Sequence, residues 1–549
     1  MSKKKETITI SQGKKELLLS IFSLPPSRLL NRILNMSDPK SFVRRLSNQD
    51  FFLLIKKIGM DDCIPLLELA DVEKWQFVMD MEVWKRDVPD MNILHRWISL
   101  FFKAEPVRLS RFLLSEGELL ACYMFFKSLD IKIIQDKDEI YDIPEGFFTL
   151  DGVYYFRAKE GFDHDLMERL LRYMAGEDLL RFQALFLSIQ AIIPSEIEEE
   201  LYRLRCIRLQ EVGLLPHHEA ISIYSPLNPN TIEIKRIPEK AIRLDRELSE
   251  LVPVIPLSLI ESQNMLSLAG SYIRDPFLFD RIQMEFAGLC NRIISADEIR
   301  IEELEDLKKV CLKAASYLNL SLERLSAKDP VKAASILERH PLEDIFRVGF
   351  GMTLKIRWET EKWIAGSWFK RMDLRHDFWD EYWGQMLEGA LMKHPRFYDR
   401  EKGFRYFMGI EDLKECLKVL RSLMVLDSLF EHMEKSWKME REFFKLQDAI
   451  FYPLLFNTMA LILIKDSPSF KPISIEETKT FFRIIRQDKI DEKDFIRVLL
   501  KEFKEIDRES LSILEETLGW IWKDFIEEYA DVSIEAMDAR FIKHLWIEG

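Results

Sequence analysis

Ser47-Asn48-Gln49-Asp50 leads into Phe51 to Ile58, Met60-Asp61-Asp62 into Ile64 to Leu69, and Ala70-Asp71-Val72-Glu73 into Trp75 to Met79. Three times an acid-bearing polar start precedes a short apolar run. Polar side chains at such starts accept from the first free backbone N–H groups of a helix, and carboxylates there also meet the positive end of its dipole. The runs are short, so each helix buries one face only against its neighbours. That is the organisation of a helical-repeat array, a surface that binds partners more often than it transforms substrates.

Working outward, glycine and proline are scarce, at 19 and 21 of 549 residues, so helical patterns dominate. Residues 20–130 read as the helical-repeat region, cut into pieces by Pro25-Pro26, Asp38-Pro39, Pro65, Pro89 and Pro106. Pro65 fits a first helical turn, where its missing N–H costs nothing. Residues 131–160 break the pattern. Ile131-Lys132-Ile133-Ile134 is β-like, and Phe147 to Phe156 is aromatic and β-branched around Asp151-Gly152. Both turn residues tolerate positive φ, so a small inserted β-hairpin is expected.

Residues 161–240 read as a helical connector ending in the proline-rich stretch Gly213 to Pro238, with a short strand at Thr231 to Lys235. Leu251 to Leu259 carries Pro253 and Pro256 and reads as a loop or broken helix. Residues 241–549 form a larger C-terminal helical domain. Capping boxes are expected at Ser47/Asp50, Ser195/Glu198, Ser295/Glu298 and Ser474/Glu477. The fold class that follows is mainly α: an N-terminal helical-repeat array, a small inserted β-hairpin and a C-terminal helical domain.

Composition narrows the function classes. Hydrophobic residues make up 47%, with 38 phenylalanines, which excludes disorder of the whole chain. A net charge of -14 opposes binding to nucleic acid or anionic membranes. Cys63, Cys122, Cys206, Cys290, Cys311 and Cys416 form no Cys-x-x-Cys pair, as expected of buried thiols in a reducing compartment. Met1 to Ser11 lacks an apolar core and reads as a solvated tail rather than a signal peptide. The longest apolar stretch, Ala449 to Ile464, contains Pro453 and Asn457 and falls short of the roughly 20 residues that span a bilayer. It reads as a buried core helix. The last residues, Arg540 to Trp546, are apolar enough to dock on the body. A cytoplasmic protein without membrane insertion is expected.

Chemistry-bearing motifs are few. There is no phosphate loop, no His-Glu-x-x-His, no EF-hand loop, no Gly-x-Ser-x-Gly and no dinucleotide glycine fingerprint. No catalytic residue, metal site or cofactor is assigned. His217-His218-Glu219 has metal-ligand chemistry, but adjacent histidines diverge, and two solvated histidines on a loop are the plainer reading. Asp50, Asp61, Asp62, Asp71 and Glu73 suit a divalent cation in type, yet capping explains them first.

The strongest candidate for a ligand site lies between residues 345 and 383. Gly349 and Gly351 sit in a helical stretch, where each costs roughly 1 kcal/mol against alanine, so something approaches the backbone closely there. Arg347 beside them needs a carboxylate or a bound anion if buried. Five of the twelve tryptophans fall from Trp358 to Trp383. Trp379 and Trp383 are four apart and would share a helix face. His376, Asp377, Asp380 and Glu381 are interleaved with them. Arg347, Trp358, Trp363, His376, Asp377, Trp379, Asp380, Glu381 and Trp383 therefore form the candidate pocket, for a cation, sugar or peptide. The plainer reading is an aromatic core with a solvated charged face. Asp377 and Glu381 would lie one turn apart on a helix, which assigns them no acid/base roles.

Two resemblances add to this. Leu46-Ser47-Asn48-Gln49-Asp50, Leu66-Leu67-Glu68-Leu69 and Asp71-Val72-Glu73 resemble the helical-repeat cytosolic domain of bacterial magnesium transporters. That likeness covers Ser37 to Val83; the family's nucleotide-sensing module and transmembrane helices are missing, so transport is not implied. Phe148 to Gly152, Glu219 to Leu227 and Ile345 to Gly351 are similar to stretches of an uncharacterised family of bacterial cytoplasmic proteins, which brings no activity with it. The leading expectation is an interaction protein, a scaffold or regulatory adaptor that binds a protein partner. The alternatives are a small-ligand binder or enzyme built on 345–383, and a divalent-cation-responsive regulator.

Overall fold

The computed structural model describes residues 13, 15–133, 145–189, 193–234, 252–260, 264–439, 441–446, 448–487, 489–501, 503 and 507–548. The tail Met1 to Ser11 and Pro238 lie outside them. The architecture is mainly α, and the sheets among the described residues have two or three strands. No helix among the described residues is long and apolar enough to cross a membrane. The chain divides into two compact units. The first comprises residues 1–225, 230–318 and 325–346, and the second 226–229, 319–324 and 347–549.

In the first unit the acid-led beat makes helices where the sequence places them: Asn48–Ile58, Ile64–Leu69 and Val72–Glu82. Ser47 Oγ accepts from Asp50 N at 3.0 Å, and Asp71 accepts from Lys74 N at 3.1 Å. Pro65 sits in the first turn of its helix. Trp75 is fully buried, stacks on Phe101 at 4.6 Å and donates to Leu67 O. Arg108 lies over the Trp75 ring and donates to Ala70 O at 2.7 Å, which supplies a partner where the helix Ile64–Leu69 ends.

The Asp151-Gly152 hairpin forms, as part of a three-stranded antiparallel sheet. Leu129–Ile133 and Phe148–Thr149 flank Tyr154–Ala158, with Ile131 opposite Phe156 and Phe148 opposite Phe156. Asp151 Oδ1 accepts from Val153 N and Tyr154 N at 2.9 Å, and Gly152 takes φ +73°. Phe156 packs against Phe182 and Phe186 of the helix Leu179–Ile189. Residue 134 of the expected first strand lies outside the described residues. Of the strand expected at Thr231 to Lys235, residue 235 lies outside the described residues and the rest is part of a helix, Pro229–Ile234. Pro229 opens it with its φ already helical, which outweighs the β-branched pattern behind it.

Three expected capping boxes are corrected: at Ser47 only the bond from Asp50 N forms, because the Asp50 carboxylate accepts from Val254 N and Ile255 N instead. Ser195 lies inside the helix Pro194–Gln210, which Pro194 starts, and Glu198 instead accepts from Tyr123 OH at 3.0 Å. Ser295 lies in the last turn of Pro276–Ala296, so it ends a helix rather than starting one.

In the second unit Ser474 and Glu477 make the complete box, N–H to side chain in both directions. The apolar stretch becomes the helix Tyr452–Lys465, buried from Tyr452 to Leu461. It forms the centre of an aromatic core with Phe495, Trp522 and Phe525, all within 6.4 Å of Phe456. The C-terminal residues dock here. Ile547 bridges Ile473, and Asn457 bonds both backbone polar groups of Trp546.

Candidate functional site

The candidate residues lie on three elements and the junction at Asp380, and of them Trp363 packs on Trp379 at 6.5 Å. Arg347, Trp358 and Trp363 belong to the helix Leu342–Gly366. Trp358 is 52% exposed. The close approach that Gly351 permits is made by a loop: its Cβ would stand 3.2 Å from Pro226 Cβ, and Leu227 N donates to Arg347 O at 3.2 Å. The glycine is thus explained by packing against its own chain.

Trp379 and Trp383 do not share a helix face. His376–Trp379 is a 3-10 turn, and the helix Glu381–Leu391 starts after a break at Asp380. Both tryptophans are core residues. Trp379 is fully buried among Phe369, Phe378, Phe430 and Phe451, and Trp383 stacks on Phe451 and on Trp520. Gly384 is required because a Cβ there would strike His376 O. His376 stacks on Phe369; Asp377 is exposed and pairs with Arg375 at 2.9 Å; Glu381 is exposed. Asp377 and Glu381 are therefore not one turn apart on a helix.

Asp380 is the exception. Its backbone takes φ +68°, ψ +165°, a region essentially reserved for glycine, at a cost of order 1–3 kcal/mol. It sits at the N-cap of an eleven-residue helix, yet its carboxylate does not cap it. The carboxylate instead accepts from Tyr452 OH at 3.3 Å.

Around it gather residues the sequence left unmarked. Asp524, on the helix Arg508–Tyr529, has its carboxyl pushed up by burial and then by the nearby charge of Asp380. His544 Nε2 lies 3.8 Å from Asp524 and has no hydrogen-bond partner, while Nδ1 bonds Tyr529 OH at 3.0 Å. Burial pushes the His544 imidazole down to about 4, so it is neutral at pH 7. Arg400 lies over the Tyr382 ring at 4.2 Å. Burial and the Asp380 charge both push the Tyr452 phenol up, which keeps it a donor. The result is a pair of carboxylates backed by a buried neutral imidazole and a phenol. Only Asp380 of this group was legible as a candidate. Asp524 and His544 come from elements about 145 and 165 residues further on, and no local spacing announces them.

Three of the five acids of the N-terminal beat are engaged. Asp61 pairs with Arg96, Asp71 caps its helix, and Asp50 reaches away from its own helix to Val254 N and Ile255 N at 3.0–3.2 Å. His217 faces Ser295 O and His218 lies near Glu219. Among the described residues no three His, Cys, Asp or Glu side chains gather as a metal site.

A different surface stands out for its apolarity. The helix Leu179–Ile189 buries Phe182, Leu185, Phe186 and Ile189 and turns Leu180, Ala184 and Leu187 outward. Leu180 is 80% exposed and Leu187 61%. Leu179, Ile193, Tyr173 and Ile207, from the same stretch and its neighbouring helices, are exposed as well. Charges nearby are paired locally: Arg172 with Glu168, Arg181 with Asp178, Arg203 with Glu200.

Comparison with known proteins agrees with the near full-length resemblance and adds no activity. No curated protein and no solved structure matches the chain. A family model does, over residues 9–548: the chain belongs to the family of unknown function DUF6178.

Proposed function

We propose that the chain is a helical interaction protein that presents Leu179–Ile189 to an amphipathic helix of a protein partner. The observation that carries this reading is the outward row Leu180, Ala184 and Leu187. Its four-then-three spacing is the seam along which a second helix packs. Surface leucines so exposed and so aligned mark interaction sites more often than isolated ones do. The occupant is apolar on its contacting face, because the charges bordering the seam already have partners. All six cysteines are free, which suits a reducing compartment such as the bacterial cytoplasm, and the acidic balance disfavours nucleic acid.

Covering one leucine is worth about 1.5–3 kcal/mol. The double variant Leu180→Glu/Leu187→Glu is therefore expected to lose the native complex, with affinity down at least about a hundredfold. Its melting curve should match the wild type, since neither side chain touches the core. Co-purification from the native host measures the first and circular dichroism the second. A complex that survives both substitutions would contradict the assignment.

A second reading is favoured by Asp380: a cation-binding site at the Asp380/Asp524 pair. A strained residue whose carboxylate is withheld from capping is a candidate for function. Asp380→Gly relieves the backbone and the like-charge repulsion. It is expected to raise the stability of this unit by about 1 kcal/mol and to lower the Asp524 pKa, read by NMR titration. Destabilisation by more than 1 kcal/mol would show that Asp380 is structural and remove this reading.

A further inference from the structure

A cavity in the first unit lies beside the start of the helix Asn48–Ile58. It holds about 720 Å³, within the range of small-molecule sites. One wall is apolar: Leu18, Met36, Phe42, Leu46, Val252 and Val254. The charged groups of the lining differ in how far they are already engaged. Asp38 is committed to Ser41 N, and Asp50 to Val254 N and Ile255 N. Lys15 is committed to Asp280 at 2.5 Å. Arg32 and Arg45 remain. Neither guanidinium has a carboxylate within ion-pair distance among the described residues, and both line the cavity.

An apolar wall with two uncommitted guanidiniums matches one ligand chemistry. The wall takes a hydrocarbon chain, and planar guanidiniums take a carboxylate or phosphate oxygen pair. We propose that this cavity binds an anionic amphiphile, with its alkyl chain along Met36, Phe42 and Val254 and its head group on Arg32 and Arg45. A cationic or uncharged head would leave both guanidiniums unpaired and gain nothing from them. This site is independent of the seam on Leu179–Ile189, and neither assignment depends on the other.

The experiment is calorimetric titration of the full chain with dodecanoate, dodecyl phosphate and dodecyltrimethylammonium, each below its micelle concentration. One dodecanoate or dodecyl phosphate per chain is expected, and the tighter of the two identifies the head group. The cationic homologue is expected to bind at least tenfold more weakly. Arg32→Gln/Arg45→Gln should weaken the anion at least tenfold and abolish the preference over the cation. Should that variant fail to fold, Ser37→Trp at the exposed rim blocks the cavity instead, with the same expected loss. Equal binding of anion and cation, unsaturable binding, or a rim variant that binds like the wild type would overturn the proposal.

Discussion

Asn457→Ala is expected to cost about 3–5 kcal/mol and to release the C-terminal residues. Asn457 is fully buried in the helix Tyr452–Lys465. Its amide nitrogen donates to Lys471 O at 3.0 Å and to Trp546 O at 2.7 Å, and its carbonyl accepts from Trp546 N at 2.8 Å. One side chain therefore satisfies three backbone groups from two later segments. Alanine removes all three bonds at once, and a buried backbone group without a partner costs about 1–3 kcal/mol. Detachment of residues 545–548 exposes those groups to water and limits the loss. The signature is consequently local. Trp546, which packs on Phe443 and Phe470, should redden in fluorescence, and the terminus should become cleavable by protease. Asn457→Asp tests the polarity: it keeps the acceptor for Trp546 N and loses both donors, so it should be nearly as damaging. A variant with wild-type protection at the terminus would contradict this account.

The second large effect concerns Asp50 and is a pH dependence. Burial raises the Asp50 carboxyl from 3.8 to about 6, against the opposing bonds from Val254 N, Ile255 N and Ser47. Between pH 4 and 6 the folded chain therefore holds a proton the unfolded chain has released. The sign follows: this group's contribution is most favourable below pH 4, falls as pH rises, and is constant above pH 6. The cost of the ionised form is about 3 kcal/mol. Asp50→Asn removes the titration and retains an acceptor for the two amides. The wild type should thus lose up to about 3 kcal/mol relative to Asp50→Asn between pH 4 and pH 7. Hydrogen exchange at the Val254 and Ile255 amides reads this locally, which matters in a chain with two units. Parallel stability curves for the two proteins would rule it out.

Asp50 also illustrates what the sequence made legible and what it did not. Its position three residues after Ser47 announced a helix start, and the start is there. The destination of its carboxylate, 204 residues away at Val254, is a tertiary fact with no local trace. The same division runs through the chain. Ser474/Glu477 makes the expected box, whereas the identical spacing lies inside a helix at Ser195/Glu198 and runs across a helix end at Ser295/Glu298. Spacing fixes which groups are able to pair, and competing starters such as Pro194 decide whether they do. The hairpin was legible because Asp151 and Gly152 act through their own backbone. The Trp358 to Trp383 segment is legible as aromatic, but its helical period does not run through Asp380. A residue with φ +68° ends that period, and periodicity arguments cannot foresee a left-handed aspartate. The apolar seam was missed because outward and inward leucines look alike in a helix as apolar as Leu179–Ile189. Only the packing of Phe182 and Phe186 on Phe156 shows which side is covered.

The most direct test of the interaction assignment is photo-crosslinking in the native host from a benzophenone side chain at Ala184, between Leu180 and Leu187. The expected result is a discrete adduct with one other protein, through a helical segment, that disappears in the Leu180→Glu/Leu187→Glu background. Adducts only at the mass of two copies of this chain, or none above the level of a probe at an unrelated exposed position such as Lys523, would contradict it.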